Sequence, residues 1–277
     1  MNTATRFEDE MQVVGSYADG KLLAGRMGGV GVMLFNQPDK RNAVNLEMWD
    51  GVCSAIDLFT ADDEVRVVVY GGAGGEAFTS GNDISQFAER RNNAEANAEF
   101  ARIAGRGREK MVAFSKPSIA CIEGYCLGGG LATALLADFR VSASDAIFGV
   151  PAARLGIAYA FEAMERLVEA VGTARASLML YTARRFSAAE ALSMGLVDVL
   201  AEIDVVAETL EIARTIADNA PLSVMAAKHS FEQLRKAPQA RDLFAIAEHM
   251  RRCMDSADYR EGRAAFLEKR RPVFVGA

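Results

Sequence analysis

One segment of this chain constrains the fold more than any other: the run SIACIEGYCLGGGLATALLAD, residues 118–138. It starts as a short apolar strand, passes through three consecutive glycines and predicts a helix over 131–137. Glycine permits positive φ and the close approach of another backbone or a ligand. The first turn of a helix exposes N–H groups and a partial positive charge, which suit an anion or a developing oxyanion. The segment therefore predicts either a backbone site for an anion or a tight turn without a ligand.

A second strand-to-helix turn, FTSGNDI at residues 78–84, also places a glycine just before a predicted helix. Asp83 could cap that helix. Two such turns in one parallel sheet can direct two backbone N–H groups at one point, which is the geometry of an oxyanion hole. A dinucleotide site is the alternative for the glycine run, but the spacing G-x-G-x-x-G is absent. No G-x-x-x-x-G-K-[ST] phosphate loop occurs either.

Hydrophobic periodicity predicts alternating strands and helices over the first 200 residues. The predicted strands are 11–18, 21–27, 30–35, 65–70, 118–123, 139–143 and 196–200. The predicted helices are 46–60, 94–114, 131–137 and 161–192. Asp19-Gly20 is typical of a hairpin turn, and the later strand–crossover–strand order indicates a mostly parallel sheet in an α/β fold.

The last part of the chain is predicted to be helical. Its four helices are 203–219, 221–235, 239–253 and 256–268. We therefore expect a core over residues 1–200 and an all-helical region over residues 201–277.

Composition argues against several classes of protein. The chain has 277 residues, 51% of them hydrophobic, and a net charge of −6, whereas nucleic-acid binders usually carry excess Lys and Arg. The longest uncharged apolar stretch, 124–137, is too short for a bilayer, which needs about 20 residues, and no signal peptide is visible. The four cysteines form no C-x-x-C pair and no disulfide framework. We expect a cytoplasmic protein without a membrane or nucleic-acid partner.

Histidine is scarce and badly placed for catalysis. His229 and His249 are the two in the chain, far in sequence from both glycine turns. Ser-His-Asp and Cys-His sites need a histidine beside the nucleophile, so a histidine-based hydrolase is disfavoured. The pairs Lys228-His229 and Glu248-His249 are predicted to lie on solvated helix faces. We expect no metal site and no permanently bound cofactor.

Five segments in order resemble the motifs of the crotonase (enoyl-CoA hydratase/isomerase) superfamily. They are NQPDKRNAVN, AFTSGNDISQF, GYCLGGG, FGVPAARLGI and RFSAAEALSMGLVD, and the later EGRAAFLEKRRPVF is similar to that family's closing helix. The resemblance covers nearly the whole chain. It implies a spiral α/β core of repeated ββα-like units with a helical C-terminal trimerisation region, in a homotrimer or a dimer of trimers. It also implies an acyl-CoA or enoyl-CoA thioester as ligand, with coenzyme A as part of the substrate.

The resemblance assigns functional positions residue by residue. The backbone N–H groups of Asn82 and Gly129 would form the oxyanion hole. The positions near coenzyme A, some of them reaching a neighbouring subunit, would be Lys40, Arg41, Ala43, Ser80, Ile84, Phe266 and Lys269. For Lys269, a solvated helix end is the alternative. Tyr125 and Tyr159 are expected to line or cap an acyl pocket.

The family's catalytic carboxylates are absent from their usual places. The resemblance assigns these places to Ala132, Ala152 and, for some isomerases and dehalogenases, Ala160. Alanine cannot transfer a proton, and a general acid or base typically contributes about 10²–10⁴-fold. Glu162 is the nearest substitute in sequence, although a solvated helix face on which it pairs with Arg166 is the alternative.

Two functional hypotheses remain. The first is an enzyme that stabilises a thioester enolate, whose reaction is hydration, dehydration, isomerisation, decarboxylation or thioester hydrolysis. The second is a non-catalytic acyl-CoA-binding subunit. The three alanines favour the second hypothesis, and the glycine turns fit both.

Overall fold

Strands and helices alternate around two β-sheets in the computed structural model, which describes residues 6–83 and 94–277. The strands are β1 Gln12–Tyr17, β2 Leu22–Met27, β3 Val30–Phe35, β4 Val67–Gly72, β5 Ala77–Thr79, β6 Ser118–Ile122, β7 Tyr125–Leu127, β8 Phe139–Ala143, β9 Ile147–Gly149, β10 Phe186–Ser187 and β11 Val199–Ala201. The helices are α1 Phe7–Glu10, α2 Leu46–Ala61, α3 Ala94–Val112, α4 Gly129–Ala134, α5 Phe161–Thr182, α6 Ala188–Met194, α7 Val205–Ala217, α8 Pro221–Leu234, α9 Leu243–Asp255 and α10 Ala257–Glu268.

The larger sheet has the order β1-β2-β3-β4-β6-β8-β11. Strands β1 and β2 form the hairpin predicted from Asp19-Gly20, and both turn residues have positive φ. From β3 to β11 the strands are parallel. Every residue of β3 and β4 is buried, which explains their continuous apolar sequences, because helices cover both faces of a parallel sheet. The prediction of a mostly parallel α/β fold is confirmed.

The smaller sheet has the order β10-β9-β7-β5, and its strands β5, β7 and β9 run parallel. Their carboxyl ends therefore meet at one edge. The turns that leave this edge begin at Ser80, Gly128 and Val150. In open α/β sheets, ligands bind at such carboxyl edges, and this edge brings together the two glycine turns of the sequence.

Two apolar clusters stabilise the fold, one on each side of the larger sheet. The first lies between α2, α3 and the smaller sheet and contains Trp49, Tyr70 and Phe148, each at most 1% exposed. The second lies against α7, through Val206 and Leu210. Helix α7 thus packs on the large sheet, although the sequence pattern assigned it to the all-helical region over residues 201–277 and not to the core.

One prediction of local structure is wrong. The helix predicted to extend from 161 towards 192 ends at Thr182, because Phe186 and Ser187 form β10 on the edge of the smaller sheet. The Ser187 side chain then caps α6 by accepting a hydrogen bond from the N–H of Glu190. Within α5, Gly172 has non-helical dihedrals (φ 76°, ψ 159°), so the helix is kinked there.

The predicted solvent exposure of Lys228 is also wrong. Its side chain is buried, and the ammonium donates to the carbonyl of Lys116 (2.7 Å) and to Oδ2 of Asp138 (3.0 Å). A buried ammonium is tolerated because both partners satisfy its charge and donors. The two histidines of α8 and α9 are half-buried against each other, with ring centroids of His229 and His249 4.5 Å apart.

Candidate active site

A cavity of about 890 Å³ opens at the carboxyl edge of the smaller sheet. Its walls come from the loop after β3, from the turns after β5, β7 and β9, and from the segment that leads into α5. Of the positions assigned from the sequence, those that line it are Lys40, Arg41, Ala43, Ser80, Asn82, Gly129, Ala152 and Tyr159. The two turns recognised in the sequence as strand, glycine and helix thus line the same cavity.

The two glycine turns touch each other in the cavity wall. A Cβ atom placed on Gly81 would lie 3.1 Å from the amide nitrogen of Gly129. A Cβ atom placed on Gly129 would lie 3.4 Å from the amide nitrogen of Asn82. Gly81 also has φ +99°, a conformation that side chains strongly disfavour. Glycine is required here for both reasons, and it allows two backbone amides from separate strands to sit side by side.

The amides of Asn82 and Gly129 are available to a ligand. Neither N–H donates a hydrogen bond to an acceptor within residues 6–83 and 94–277. The neighbouring backbone is fixed, because Val44 donates to the carbonyl of Gly81 (2.7 Å) and accepts from the N–H of Asp83 (3.0 Å). Two neighbouring N–H donors without an acceptor in this part of the chain are what a developing oxyanion requires.

Lys40 and Asp83 form an ion pair in the cavity wall, with Nζ 2.9 Å from Oδ2. The lysine side chain is 50% exposed and the aspartate side chain 7% exposed. Asp83 is therefore a buried carboxylate beside the two amides. The sequence predicted only a helix cap at this residue and not its place in a cavity wall. The helix that it would cap, together with Ile84, lies outside the described residues.

Arg41 lies at the rim and is held by two contacts. Its Nε is 2.8 Å from Oε1 of Glu76, an ion pair that raises the pKa of the guanidinium. Its guanidinium carbon is 5.2 Å from the ring centroid of Tyr125, and that of Arg185 is 5.5 Å from the same ring. Tyr125 thus contacts two arginines, one of them at the rim, and is not among the residues that line the cavity.

Tyr159 lies in the cavity wall and donates its hydroxyl to the carbonyl of Gly128 at 3.2 Å. Burial raises the pKa of this hydroxyl, so it stays protonated near neutral pH. Arg108 lies nearby, with its guanidinium 4.8 Å from the ring centroid of Trp49. Burial lowers the pKa of Arg108, while Tyr159 and Glu162 oppose that effect. No sequence pattern indicated Arg108, which sits 51 positions before Tyr159 on a polar helix.

The three alanines occupy different surroundings. Ala152 lines the cavity, and Ala132 is buried in α4 outside its lining. Ala160 is exposed at the N-cap of α5. The carboxylates that do line the cavity within the described chain are Asp39, Glu76 and Asp83, and the last two are ion-paired.

Glu162 is exposed and does not line the cavity. Its predicted partner Arg166 instead pairs with Glu169, at 3.5 Å. Phe161, the first residue of the same helix, is 67% exposed. The geometry thus places the Glu162 carboxylate in solvent, as the solvated-face alternative supposed.

Phe266 and Lys269 lie at the end of α10 and away from the cavity lining. Phe266 is 84% exposed, and Lys269 ends the helix in a left-handed conformation. These side chains belong to the outer surface of this chain.

The described part of the chain has neither a metal-binding cluster nor a membrane-spanning helix. Within residues 6–83 and 94–277, no group of three or more His, Cys, Asp or Glu side chains could hold a metal ion. No helix in that part of the chain is long and apolar enough to cross a membrane.

Comparisons with known proteins show the family of this chain. The family model described as enoyl-CoA hydratase/isomerase matches residues 25–277. A short-chain-enoyl-CoA hydratase from Clostridium acetobutylicum is 32% identical over 245 residues, which cover 88% of this chain and 93% of that protein. A crotonyl-CoA hydratase from Syntrophomonas wolfei is 33% identical over 245 residues, covering 88% and 94%.

A solved structure has the same fold. The crystal structure of an enoyl-CoA hydratase/carnithine racemase from Magnetospirillum magneticum superimposes with a TM-score of 0.89 at 33% identity. The match covers 96% of this chain and 99% of that one. The fold and the family expected from the sequence motifs are confirmed: the chain belongs to the enoyl-CoA hydratase/isomerase family of the crotonase superfamily.

Proposed function

We propose that the cavity binds an acyl-CoA or enoyl-CoA thioester and stabilises its enolate. The observation that carries the proposal is the pair of amides of Asn82 and Gly129, side by side in the cavity wall, neither of which donates to an acceptor within residues 6–83 and 94–277. When a proton leaves the α-carbon of a thioester, negative charge develops on the carbonyl oxygen. Two preorganised N–H donors stabilise that charge, and each such donor is worth about 10²–10³-fold in rate.

The coenzyme A moiety extends from this point along the first loop. Lys40 and Arg41 supply positive charge at the rim, and Ala43 and Ser80 line the same wall. Arg41 is already oriented by Glu76. Coenzyme A enters and leaves as part of the substrate, and the proposal needs no permanently bound cofactor.

We further propose a homotrimer or a dimer of trimers, assembled through the C-terminal helices. Helices α8 to α10 expose a large apolar surface: Phe231, Leu234, Leu243, Phe244, Met250, Met254, Phe266 and Leu267. Exposed apolar side chains of this size and number are typical of interfaces between subunits. In such an assembly Phe266 and Lys269 reach the coenzyme A bound by a neighbouring copy. Light scattering tests this, and a monomer at micromolar concentration contradicts it.

The reaction is hydration and dehydration, or isomerisation, of an enoyl-CoA. Because Ala132, Ala152 and Ala160 cannot transfer protons, the transfer must use another group in the wall, of which Asp83 is the most buried carboxylate. Decarboxylation, which forms the enolate by loss of CO2 without a base, and thioester hydrolysis are the alternatives within the family. A non-catalytic acyl-CoA-binding subunit, favoured by the same alanines, is the second candidate.

The four free thiols support a cytoplasmic location.

Exchange of the α-hydrogens of butyryl-CoA in deuterated water, followed by NMR, separates these candidates. The matched control is Gly129→Pro, which deletes one N–H at the first position of a helix, where proline is tolerated. Exchange by the native chain about 10²-fold or more above this control supports an enolate-stabilising enzyme. Micromolar binding without exchange supports the non-catalytic subunit. Absence of binding by butyryl-CoA and by its longer homologues refutes both.

A further inference from the structure

The hydroxyl of Tyr159 is bonded to the peptide group that carries one of the two oxyanion donors. Oη lies 3.2 Å from the carbonyl oxygen of Gly128. That carbonyl and the N–H of Gly129 belong to the same peptide unit, at its two opposite ends. A hydrogen bond to the oxygen polarises the peptide unit and makes its N–H a stronger donor. In chains of hydrogen bonds this effect strengthens each bond by roughly 10–30%.

The same contact also fixes the direction in which the N–H points. Gly128 has φ 53° and ψ −114°, and no side chain caps the helix that follows. Because it joins two glycines, the Gly128–Gly129 peptide has little steric resistance to rotation about its flanking dihedrals. Its oxygen accepts from the N–H of Ala132 (3.1 Å) and from Tyr159, and the N–H of Gly128 donates to Gly149 (2.8 Å). Of these three hydrogen bonds, the one from Tyr159 is made by a side chain, and the other two are made by the backbone.

The surroundings of Tyr159 suit a donor rather than a base. The ring packs against the first apolar cluster, which fixes its position. Burial keeps the hydroxyl protonated. The charge of Arg108 acts on the tyrosine from nearby, and it favours a polarised O–H bond.

We propose that Tyr159 is a positioning residue of the oxyanion site: by donating to the Gly128 carbonyl, it orients and polarises the peptide whose N–H holds the thioester oxygen. This rests on the proposed function, because it assumes that a thioester carbonyl binds at Gly129. It gives Tyr159 a role in the chemistry, which a residue that merely lines the acyl pocket does not have.

The variant Tyr159→Phe removes the hydroxyl and keeps the ring. The matched control is Tyr181→Phe, since Tyr181 is 81% exposed on α5. With 1-¹³C-labelled butyryl-CoA bound, isotope-edited infrared spectra report the polarisation of the carbonyl. We expect a smaller red shift of this band in Tyr159→Phe than in the native chain or the control. We also expect α-hydrogen exchange to slow by about three- to tenfold, the effect of one lost hydrogen bond, with Kd changed less than threefold.

Replacement of Tyr159 by 3-fluorotyrosine gives a second measurement that does not depend on how well Tyr159→Phe folds. Its more acidic hydroxyl is a stronger donor, so the carbonyl band should move further to the red than in the native chain. A purely structural role predicts no such displacement.

Three results would overturn the proposal in distinguishable ways. If Tyr159→Phe retains the full red shift and exchange rate, Tyr159 has no positioning role, while the proposed function stands. If exchange is abolished with the red shift unchanged, Tyr159 transfers the proton itself. If the native chain produces no red shift on bound butyryl-CoA, the proposed function fails first, and the inference fails with it.

Discussion

Gly81→Ala should separate backbone strain from the chemistry of the oxyanion site. The added methyl group would lie 3.1 Å from the amide nitrogen of Gly129 and 3.3 Å from that of Gly130. It would therefore shield or displace one of the two donors. It would also force alanine to φ +99°, which costs of order 1–3 kcal/mol.

The expected loss follows from these contacts. Removing one donor from such a site lowers kcat by about 10²–10³-fold, which corresponds to about 2.7–4 kcal/mol of transition-state stabilisation. We expect Gly81→Ala to lower the rate of α-hydrogen exchange by that factor and to lower the free energy of unfolding by about 1–3 kcal/mol. The two measurements are NMR of butyryl-CoA in deuterated water and urea denaturation.

Gly28→Ala is the matched control. Gly28 also has positive φ (+62°), but nothing lies within 4 Å of a Cβ atom placed there. We expect it to lose stability with its exchange rate unchanged. If Gly81→Ala retains more than about a third of the native exchange rate while folded, the assignment of the oxyanion site to these two turns is wrong, because one donor is worth far more than that.

Three further predictions concern other parts of the chain. Glu162→Ala should leave exchange within about twofold, since surface changes are nearly neutral; a loss of 10²-fold without unfolding would contradict the exposed position of this carboxylate. Lys228→Met should lower the urea-unfolding free energy by about 2–4 kcal/mol, because its buried ammonium makes two hydrogen bonds, whereas exposed Lys236→Met should not. Burial and the neighbouring His229 lower the pKa of His249 below 6.5, so the folded state binds fewer protons and stability is lost as pH falls. From about pH 7.5 to about pH 5.5, unfolding free energy should therefore fall more in the native chain than in His249→Gln; equal falls would refute this.

The sequence predicted those parts of the site whose cause is local. A glycine before a helix, an apolar strand before the glycine, and a repeat of that order predicted two turns that direct backbone N–H groups at one point. The family resemblance then assigned Asn82 and Gly129 as the two donors. A backbone position with positive φ, such as Gly81, favours glycine, so a short stretch of sequence is enough to recognise it.

Contacts between distant segments could not be predicted in this way. Asp83 pairs with Lys40 from 43 positions away, and Tyr159 reaches Gly128 across 31. No periodic sequence pattern predicts either contact, since each depends on which strands become neighbours in the sheet. Lys228 is an instructive failure, because a lysine on an amphipathic helix indicates solvent unless its carboxylate partner, here Asp138, is already known to face it.

The two donors lie in the turns that follow neighbouring strands of the smaller sheet. Strands β5 and β7 are hydrogen-bonded neighbours, and neighbouring strands lie about 4.8 Å apart. Two N–H groups that each approach one oxygen at about 2.9 Å, with an angle of about 110° between them, also have nitrogens about 4.8 Å apart. The repeat distance of a β-sheet thus matches the span of a two-donor clamp on a single oxygen atom. Since that distance belongs to the backbone, the clamp can persist while surrounding side chains, including those that move protons, are exchanged.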